Sequence, residues 1–467
     1  MGKIYKKDFI KKNFYILIII FLILTISLLI EKNHDDFPYY HFQYTYYLTQ
    51  ESLNFGIGNF NHGFRTPSSI FYINSLFYLP LVDYYLFNFS AVYILGFSNI
   101  ILFHQIFKFT KRKKEFFNSK FTLYLSILVF IFINIFFYRI SEHGTDRSAQ
   151  ILILVLFIFL LSYFYNPQSL KNTDLLFLYV LVGLIISLKS FYFLYLILII
   201  PFYFLIFQKK KTIFSTFNFI FFNRYMFYLL ILICFVIISY FTNTGCLIYP
   251  VSFTCFDNFE WSILKNDVIL MNNWYELWSK SGANPNSRVE DPENYIKGFN
   301  WINNWIENYF FNKVSDFLLG LFIIVFVMFL VYSKSSKVKP YEKNKKILYL
   351  TYIILLILLI EWLYNHPALR YGGYCIFALI VFIPLSLYLS KHNITFNKFY
   401  KSTSILLAIT ILIFVTRNFT RISAEIQLYE YKPFSKIFYT IDDEYFEIQK
   451  RIEKIKNKKG MFNKSIF

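Results

Sequence analysis

FYILIIIFLILTISLLI, residues 14–30, decides the class of fold to which this chain belongs. Roughly 17–25 apolar residues are enough for a helix to cross the hydrocarbon core of a bilayer. Comparable runs recur along the 467 residues, of which 57% are hydrophobic and only 16% charged, whereas soluble domains usually carry about 25% charged residues. The sequence therefore predicts an all-α, polytopic membrane protein.

The distribution of basic residues predicts the topology. Lysine and arginine cluster in short loops, which the positive-inside rule places in the cytoplasm. The net charge of +19 then reflects membrane topology, so we expect the lipid bilayer as a partner and no nucleic acid. If all the basic clusters lie in the cytoplasm, an even number of spans must separate each consecutive pair of clusters. This requirement gives eleven spans: 14–30, 87–107, 121–140, 149–165, 174–188, 190–207, 225–242, 317–332, 347–362, 373–390 and 403–416.

This topology predicts one transmembrane domain in the cell (inner) membrane, with a cytoplasmic N-terminus. The domain covers residues 1–416 and includes large outer loops at 31–86 and 243–316, and a short extracytoplasmic tail follows at 417–467. Two further segments are expected to lie on the membrane surface rather than to cross it. They are an interfacial or re-entrant helix at 67–82 and an amphipathic helix at 209–223.

Polar residues crowd the segment after the first span, where Asp35 and Asp36 are followed by His41, His62 and Arg65. Two adjacent carboxylates resist joint ionisation, so one of them is a candidate general base. A metal ligand and a solvated helix end are the alternatives. His41 either orients Asp36 or a substrate hydroxyl, or is polar surface, and the spacing of Asp36 from His41 favours it over Asp35 as the base.

A second acidic and histidine cluster lies in the next short outer loop, SEHGTDRSAQ at 141–150. It contains Glu142, His143, Asp146 and Arg147. Ionisable residues at the membrane edge are functional candidates by default. Two such clusters on one face, each at the end of a span, indicate a site.

Two nearly solitary cations occur in other outer loops. Lys189 lies at the turn between two apolar runs, and Arg370, followed by Tyr371, lies just before a late span. Single cations in such loops are usually solvated or snorkelling, but an arginine fork suits bidentate contact with a phosphate.

The four cysteines fall into two classes. Cys246 and Cys255 bracket GCLIYPVSFTC at the start of the outer loop 243–316, which favours a disulfide over two free thiols. Cys234 and Cys375 lie in apolar runs and are most simply small hydrophobic residues. The sequence contains no P-loop, GxGxxG, HExxH or GxSxG motif, so we expect no nucleotide cofactor.

The order of these pieces resembles the GT-C superfamily of integral-membrane glycosyltransferases, which use polyprenyl-phosphate-linked sugars. More narrowly, the chain looks like an uncharacterised bacterial membrane family placed in that superfamily. The resembling pieces run in order across about three quarters of the chain, and none is highly specific alone: DxxxYH at 36–41, GNFNHGFRTPSSIF at 58–71, EHGTDRSAQ at 142–150, TGCLIYP and TCF within 244–256, and HPALRYG at 366–372.

The resemblance implies inverting sugar transfer from a lipid-linked donor to a glycan or lipid acceptor at the outer leaflet. Asp36 matches the base that deprotonates the acceptor hydroxyl. Asp146 matches a carboxylate that assists, sometimes through a divalent metal such as Mg or Mn. Arg370, with Lys189, would neutralise the departing phosphate. His62, Arg65, His143 and Tyr371 are then further substrate-binding candidates.

Two other functions and a non-catalytic scaffold compete with this one, and the scaffold predicts that Asp36→Asn leaves the glycan profile unchanged. A transporter or lipid flippase would carry ionisable residues in the middle of its spans, and these spans are nearly free of charge there. A polymerase or ligase of O-antigen type also acts on lipid-linked sugars, but its main outer loop usually comes later in the chain. The acidic first loop favours the transferase.

Overall fold

A computed structural model describes residues 15, 18–28, 36–108, 113–163, 170–283, 289–333 and 345–429. Within these ranges the protein is helical and contains no β-strand. The α-helices are α1 Ile18–Leu28, α2 Phe42–Gln50, α3 Ser69–Ser75, α4 Phe89–Phe107, α5 Lys113–Phe136, α6 Gly144–Ser162, α7 Asn172–Leu188, α8 Ile199–Lys210, α9 Ile213–Phe221, α10 Arg224–Thr244, α11 Lys265–Lys280, α12 Pro292–Ile296, α13 Ile302–Trp305, α14 Ser315–Tyr332, α15 Lys345–Asn365, α16 Gly373–Ser390 and α17 Phe396–Tyr429.

Nine helical segments among the described residues are long and apolar enough to cross a membrane, which confirms a multi-pass membrane protein. Each overlaps one of the eleven predicted spans. The other two predicted spans, 14–30 and 174–188, overlap the shorter apolar helices Ile18–Leu28 and Thr173–Leu188, so the count of eleven stays a prediction. The nine are Phe89–Phe107, Ser119–Phe136, Gly144–Ser162, Ser190–Lys210, Arg224–Thr244, Ile302–Tyr332, Lys346–Asn365, Gly373–Ser390 and Phe396–Ala424.

The helices differ in how deeply they are buried. The apolar stretches of α5 and α6 are 83% and 78% buried, so these two helices form the centre of the bundle. The corresponding stretches of α10 and α17 are only 28% buried. Many of their remaining apolar side chains are exposed, which is the arrangement expected of helices that face lipid.

Polar contacts and small residues hold the apolar helices together, since lipid offers no hydrophobic drive for helix association. Asn99 of α4 and Asn134 of α5 exchange two amide hydrogen bonds, of 3.1 and 2.7 Å, in a buried position. At Gly183 of α7, a Cβ atom would lie 2.6 Å from a side-chain carbon of Leu232 on α10. A larger residue at position 183 would therefore require Leu232 to move.

The segments predicted to lie on the membrane surface form short helices. In the first loop, α3 covers Ser69–Ser75 and is followed by turns rather than by a helix that continues to residue 82. Within 209–223 the chain forms α9, Ile213–Phe221, as a separate helix. The later loop contains the predicted disulfide between Cys246 and Cys255, which is confirmed.

Two predictions concern residues beyond the described ranges. Asp35 lies outside them, and so do residues 430–467 of the predicted tail. The beginning of that tail is helical, because α17 continues without interruption past residue 416 to Tyr429.

The reciprocal pair of asparagines makes the helix packing testable. We expect Asn99→Leu to lower the free energy of unfolding by about 1 kcal/mol, because it leaves the buried amide of Asn134 without its partner. The double variant Asn99→Leu/Asn134→Leu should recover part of this loss, since both polar groups are then replaced by apolar ones of similar size. Thermal unfolding in detergent measures the stability of each variant. A loss in the double variant equal to the sum of the losses in the two single variants would contradict the pairing.

Candidate active site

Four charged side chains from four separate segments meet at one end of the helix bundle. Arg370 donates from Nε to Oδ2 of Asp146 at 3.0 Å and from Nη2 to Oδ2 of Asp36 at 3.2 Å. Lys189 donates from Nζ to the other oxygen of Asp146, Oδ1, at 2.6 Å. Two carboxylates and two cations make up this network, which therefore carries no net charge.

Asp146 is fixed at the beginning of α6. It lies in the first turn of that helix, where the positive end of the helix dipole stabilises a carboxylate. The helix begins at Gly144, whose φ of +51° is easily adopted only by glycine. The hydroxyl of Tyr192 donates to the backbone carbonyl of Asp146 at 3.3 Å. The side chain is only 9% exposed, so its two cationic partners are needed to offset the cost of burying its charge.

Arg370 lies in a short 3₁₀ turn between α15 and α16 that other side chains hold in place. The indole N–H groups of Trp305 and Trp362 donate to the carbonyls of the two residues just before the turn, Pro367 and Ala368, each at 2.9 Å. The amide of Gln150 donates to the carbonyl of Arg370 at 3.0 Å, and the Tyr309 hydroxyl accepts from the N–H of the preceding residue. Three helical segments thus fix the position from which the guanidinium extends.

Aromatic rings surround the two cations of the network. The Arg370 guanidinium lies 5.1 Å from the ring centre of Trp278, and Lys189 Nζ lies 4.3 Å from that of Tyr371. Burial lowers the pKa of Lys189, although Asp146 opposes this shift. Burial also disfavours the charge on Arg370, but Asp146, Tyr371 and Asp36 outweigh it and raise its pKa. Arg370 is therefore the permanently charged group of the site.

A cavity of about 260 Å³ opens beside this network. Its walls come from segments between spans, from the first turns of α6 and α16, and from the part of Ile302–Tyr332 that precedes α14, so it lies at the helix ends and not in the middle of the bundle. Acidic, basic and aromatic side chains all face it. Its lining residues are Asp36, His41, Glu142, His143, Gly144, Thr145, Asp146, Arg147, Trp278, Ala283, Tyr309, Lys313, Arg370 and Tyr374.

Two π-helical segments contribute to the cavity wall. In Phe37–His41 the backbone hydrogen bonds join residues five apart, which brings Asp36 and His41 towards the same face, whereas an α-helix would separate them by about 140°. The second segment, Ile306–Val314, carries Tyr309 and Lys313. π-Helical turns are rare in proteins and frequent at functional sites.

A second ionic cluster adjoins the cavity at Glu142. Its Oε1 accepts from Arg139 at 3.1 Å and from Arg421 at 2.8 Å, and its Oε2 accepts from Arg147 at 3.2 Å. Arg421 lies on α17, beyond the predicted last span. The C-terminal helix therefore returns to the same end of the bundle as the cavity.

A family model described as a domain of unknown function, DUF8201, matches residues 2–377. The chain belongs to this family. The matched region includes Asp36, Asp146, Lys189 and Arg370, whereas α17 lies beyond it. No curated protein and no solved structure matches the chain.

Within the DUF8201 region, the structure brings most of the predicted site residues together. Asp36 and Asp146 both accept hydrogen bonds from Arg370. Lys189 donates to Asp146, and its Nζ lies over the ring of Tyr371. The predicted residues that face the cavity itself are Asp36, His41, His143, Asp146 and Arg370.

His62 and Arg65 do not line this cavity. Arg65 is buried and donates from Nε to the carbonyl of Gly58 at 3.0 Å, and His62 is exposed in the same turn. Arg65 therefore packs within the first loop, and neither residue contributes to the cavity wall.

Sequence reasoning missed several residues that line the cavity, including Trp278, Tyr309 and Lys313. Trp278 lies in α11, and Tyr309 and Lys313 lie in the second π-helical segment. All three belong to the region predicted as the outer loop 243–316, among many similar aromatic and basic residues. Nothing in their local sequence distinguishes them from the other members of that set. Their role follows only from where the loop folds.

The donor set does not form a recognisable metal centre in the part of the chain that the structure describes. No group of three or more His, Cys, Asp or Glu side chains could there hold a metal ion. Both carboxylate oxygens of Asp146 accept from cations. A Mg or Mn ion at Asp146 stays a prediction, and we derive no chemical step from it.

His143 gives a pH-dependent prediction. Burial lowers its pKa to about 4, against about 6.5 in an unfolded chain. As the pH falls from 6.5 to 4, the unfolded state binds the proton first, so up to about 3 kcal/mol of stability present above pH 6.5 is lost. We expect His143→Gln, whose amide can still donate to the carbonyl of Phe137, to weaken this pH dependence.

Thermal unfolding in detergent at pH 7 and pH 4.5 measures the effect. His62→Gln is the comparison variant. Burial also lowers the pKa of His62, but this side chain is exposed, so its replacement should change the pH dependence less than that of His143. An unchanged pH dependence in His143→Gln would show that His143 is already charged or solvated.

Proposed function

We propose that this protein is a membrane glycosyltransferase that moves a sugar from a polyprenyl-phosphate donor to an acceptor hydroxyl, with inversion. Asp36 is the general base in this proposal, and Arg370 stabilises the departing phosphate. The observation that carries it is the position of Arg370, which binds Asp36 and Asp146 at once on the wall of one cavity.

Arg370 retains N–H donors that could bind a phosphate. A guanidinium carries five N–H groups, and its bonds to Asp146 and Asp36 use two of them. The remaining N–H groups form a planar fork of the kind that suits phosphate oxygens. Lys189 supplies a second positive charge to Asp146, so that this carboxylate does not consume the whole charge of Arg370.

The charge balance of the network fits the proposed step. The acceptor oxygen forms a bond to the anomeric carbon, its proton passes to Asp36, and the bond from that carbon to the phosphate oxygen breaks with its electron pair. Protonation of Asp36 removes one negative charge and weakens its bond with Arg370. The cation is thereby freed as negative charge develops on the phosphate, which is where a fixed positive group lowers the barrier most.

Aromatic side chains at the cavity suit a sugar and the head of its lipid carrier. Trp278 and Tyr309 face the cavity and present flat apolar surfaces. The donor phosphate ester provides the driving force, so the chemistry requires no nucleotide. We place this reaction at the outer face of the cell membrane, with a glycan or a lipid as the acceptor.

The substitution Asp36→Asn tests the proposal. It keeps the size of the side chain and a hydrogen-bond acceptor for Arg370 but cannot take up a proton. We expect transfer of labelled sugar from polyprenyl-phosphate donors to fall by about 10²-fold or more, because a positioned general base contributes about 10²–10⁴-fold. Membranes from a deletion strain carrying each variant provide the assay, with envelope glycans compared by mass spectrometry.

Asp267→Asn is the matched control, since Asp267 is an exposed carboxylate on α11 that does not line the cavity. It should leave both transfer and the glycan profile unchanged. Wild-type glycans in a strain that depends on Asp36→Asn would overturn the catalytic assignment.

A further inference from the structure

Two basic side chains face the cavity in addition to Arg370. Arg147 lies in the first turn of α6 with its side chain 26% exposed, and Lys313 lies in the second π-helical segment. Lys313 is exposed and forms no ion pair with any residue that the structure describes. Neither side chain contacts the network of Asp36, Asp146, Lys189 and Arg370 through a hydrogen bond.

Several cations gather around Arg147. Among the described residues, Glu142 accepts from three guanidinium groups, those of Arg139, Arg147 and Arg421. Lys313 adds a further positive charge at the cavity wall. The Arg421 side chain is only 9% exposed, so solvent does little to screen its charge. An anion beside Arg147 and Lys313 would therefore be attracted.

The beginning of α6 adds backbone donors to the same wall. Gly144 and Thr145 face the cavity, and the N–H groups of a first helical turn have no acceptor within the helix. Such a helix terminus favours a bound anion, particularly beside an arginine. This arrangement lies around the Arg147 side of the cavity, whereas Arg370 extends from the turn before α16.

His143 supplies an independent sign that a ligand belongs here. Its ring is 98% buried, and Nε2 lies 2.7 Å from the carbonyl oxygen of Phe137. A carbonyl only accepts, so Nε2 carries the proton and Nδ1 is an acceptor. Nδ1 is buried and has no hydrogen-bond partner among the described residues. A ligand hydroxyl at the cavity would satisfy it.

We propose that Arg147, Lys313 and the first turn of α6 form a second anion subsite, which binds the acidic group of an acceptor that also carries hydroxyl groups. The acceptor class is then a phosphorylated or carboxylated sugar. This assignment rests on the proposed transferase function, with the donor phosphate at Arg370 and the acidic acceptor at Arg147. His143 accepts from a hydroxyl of that acceptor.

Titration of the purified full-length protein with inorganic phosphate tests the subsite directly. Calorimetry at low ionic strength should give two phosphate ions per chain for the wild type, one for Arg147→Gln/Lys313→Gln and one for Arg370→Gln. Lys313→Gln alone, at an exposed position that does not threaten folding, should weaken the second site about tenfold, as expected for loss of one charged contact.

Arg139→Gln is the matched control. It removes another arginine from Glu142, but Arg139 does not line the cavity, so two phosphate ions should still bind. Wild-type phosphate binding in both Arg147→Gln and Lys313→Gln overturns the subsite. An equal loss in Arg139→Gln overturns it as well, because the effect would then come from net charge alone.

Titration with pyrophosphate distinguishes two sources of the second anionic group, an acidic acceptor and a diphosphate donor. If Arg147→Gln and Arg370→Gln each abolish the binding of a single pyrophosphate, one diphosphate donor spans both positions and the acidic acceptor is overturned. Independent effects of the two variants on pyrophosphate binding support the acidic acceptor. Asp36→Asn should bind two phosphate ions as the wild type does. Phosphate binding therefore tests the subsite separately from the transferase activity, even if Asp36→Asn leaves sugar transfer unchanged.

Discussion

The interaction on which the rest of the site depends is the simultaneous binding of Arg370 to Asp36 and Asp146. Arg370 and Asp36 are 334 positions apart in the chain, so this contact exists only when the first loop, α6 and the turn before α16 are all in place. A guanidinium at the edge of an apolar bundle requires carboxylate partners. Those carboxylates in turn require it, which makes the three segments mutually dependent.

Much of the surrounding structure serves to hold that arginine. Two indole N–H groups, a glutamine amide and a tyrosine hydroxyl bind the backbone in and just before its turn, and Trp278 covers its guanidinium. These are directional bonds from helices that pack through apolar surfaces. A rigid setting of this kind suits the electrostatic stabilisation proposed for Arg370, because fixed charges would cost no reorganisation during such a reaction.

The C-terminal helix has a part in the site although it lies beyond the family match. Arg421 reaches Glu142, which also binds Arg139 and Arg147, and so α17 contacts the loop that begins α6. The family match ends at residue 377, within α16. The ionic cluster around Glu142 therefore depends partly on a segment outside the matched region.

The sequence by itself determined the class of fold. Apolar runs of spanning length identify membrane helices, and nine of the predicted spans overlap long helices because burial in lipid leaves the backbone few alternatives to a helix. The spacing of Cys246 and Cys255 was likewise sufficient to predict their disulfide. The scarcity of charge also pointed to Asp36, Asp146, Lys189 and Arg370, since an ionisable residue at a helix end stands out in such a chain.

Only the tertiary structure decided how those residues are arranged. Whether Lys189 and Arg370 bind the same carboxylate, and whether His62 and Arg65 lie at the cavity, depends on how distant helices pack, and helical periodicity carries no information about that. The π-helical turn that aligns Asp36 with His41, and the loop that brings Trp278 to Arg370, result from many weak contacts acting together. Local sequence specifies helices in a membrane, whereas a site between them is specified by packing.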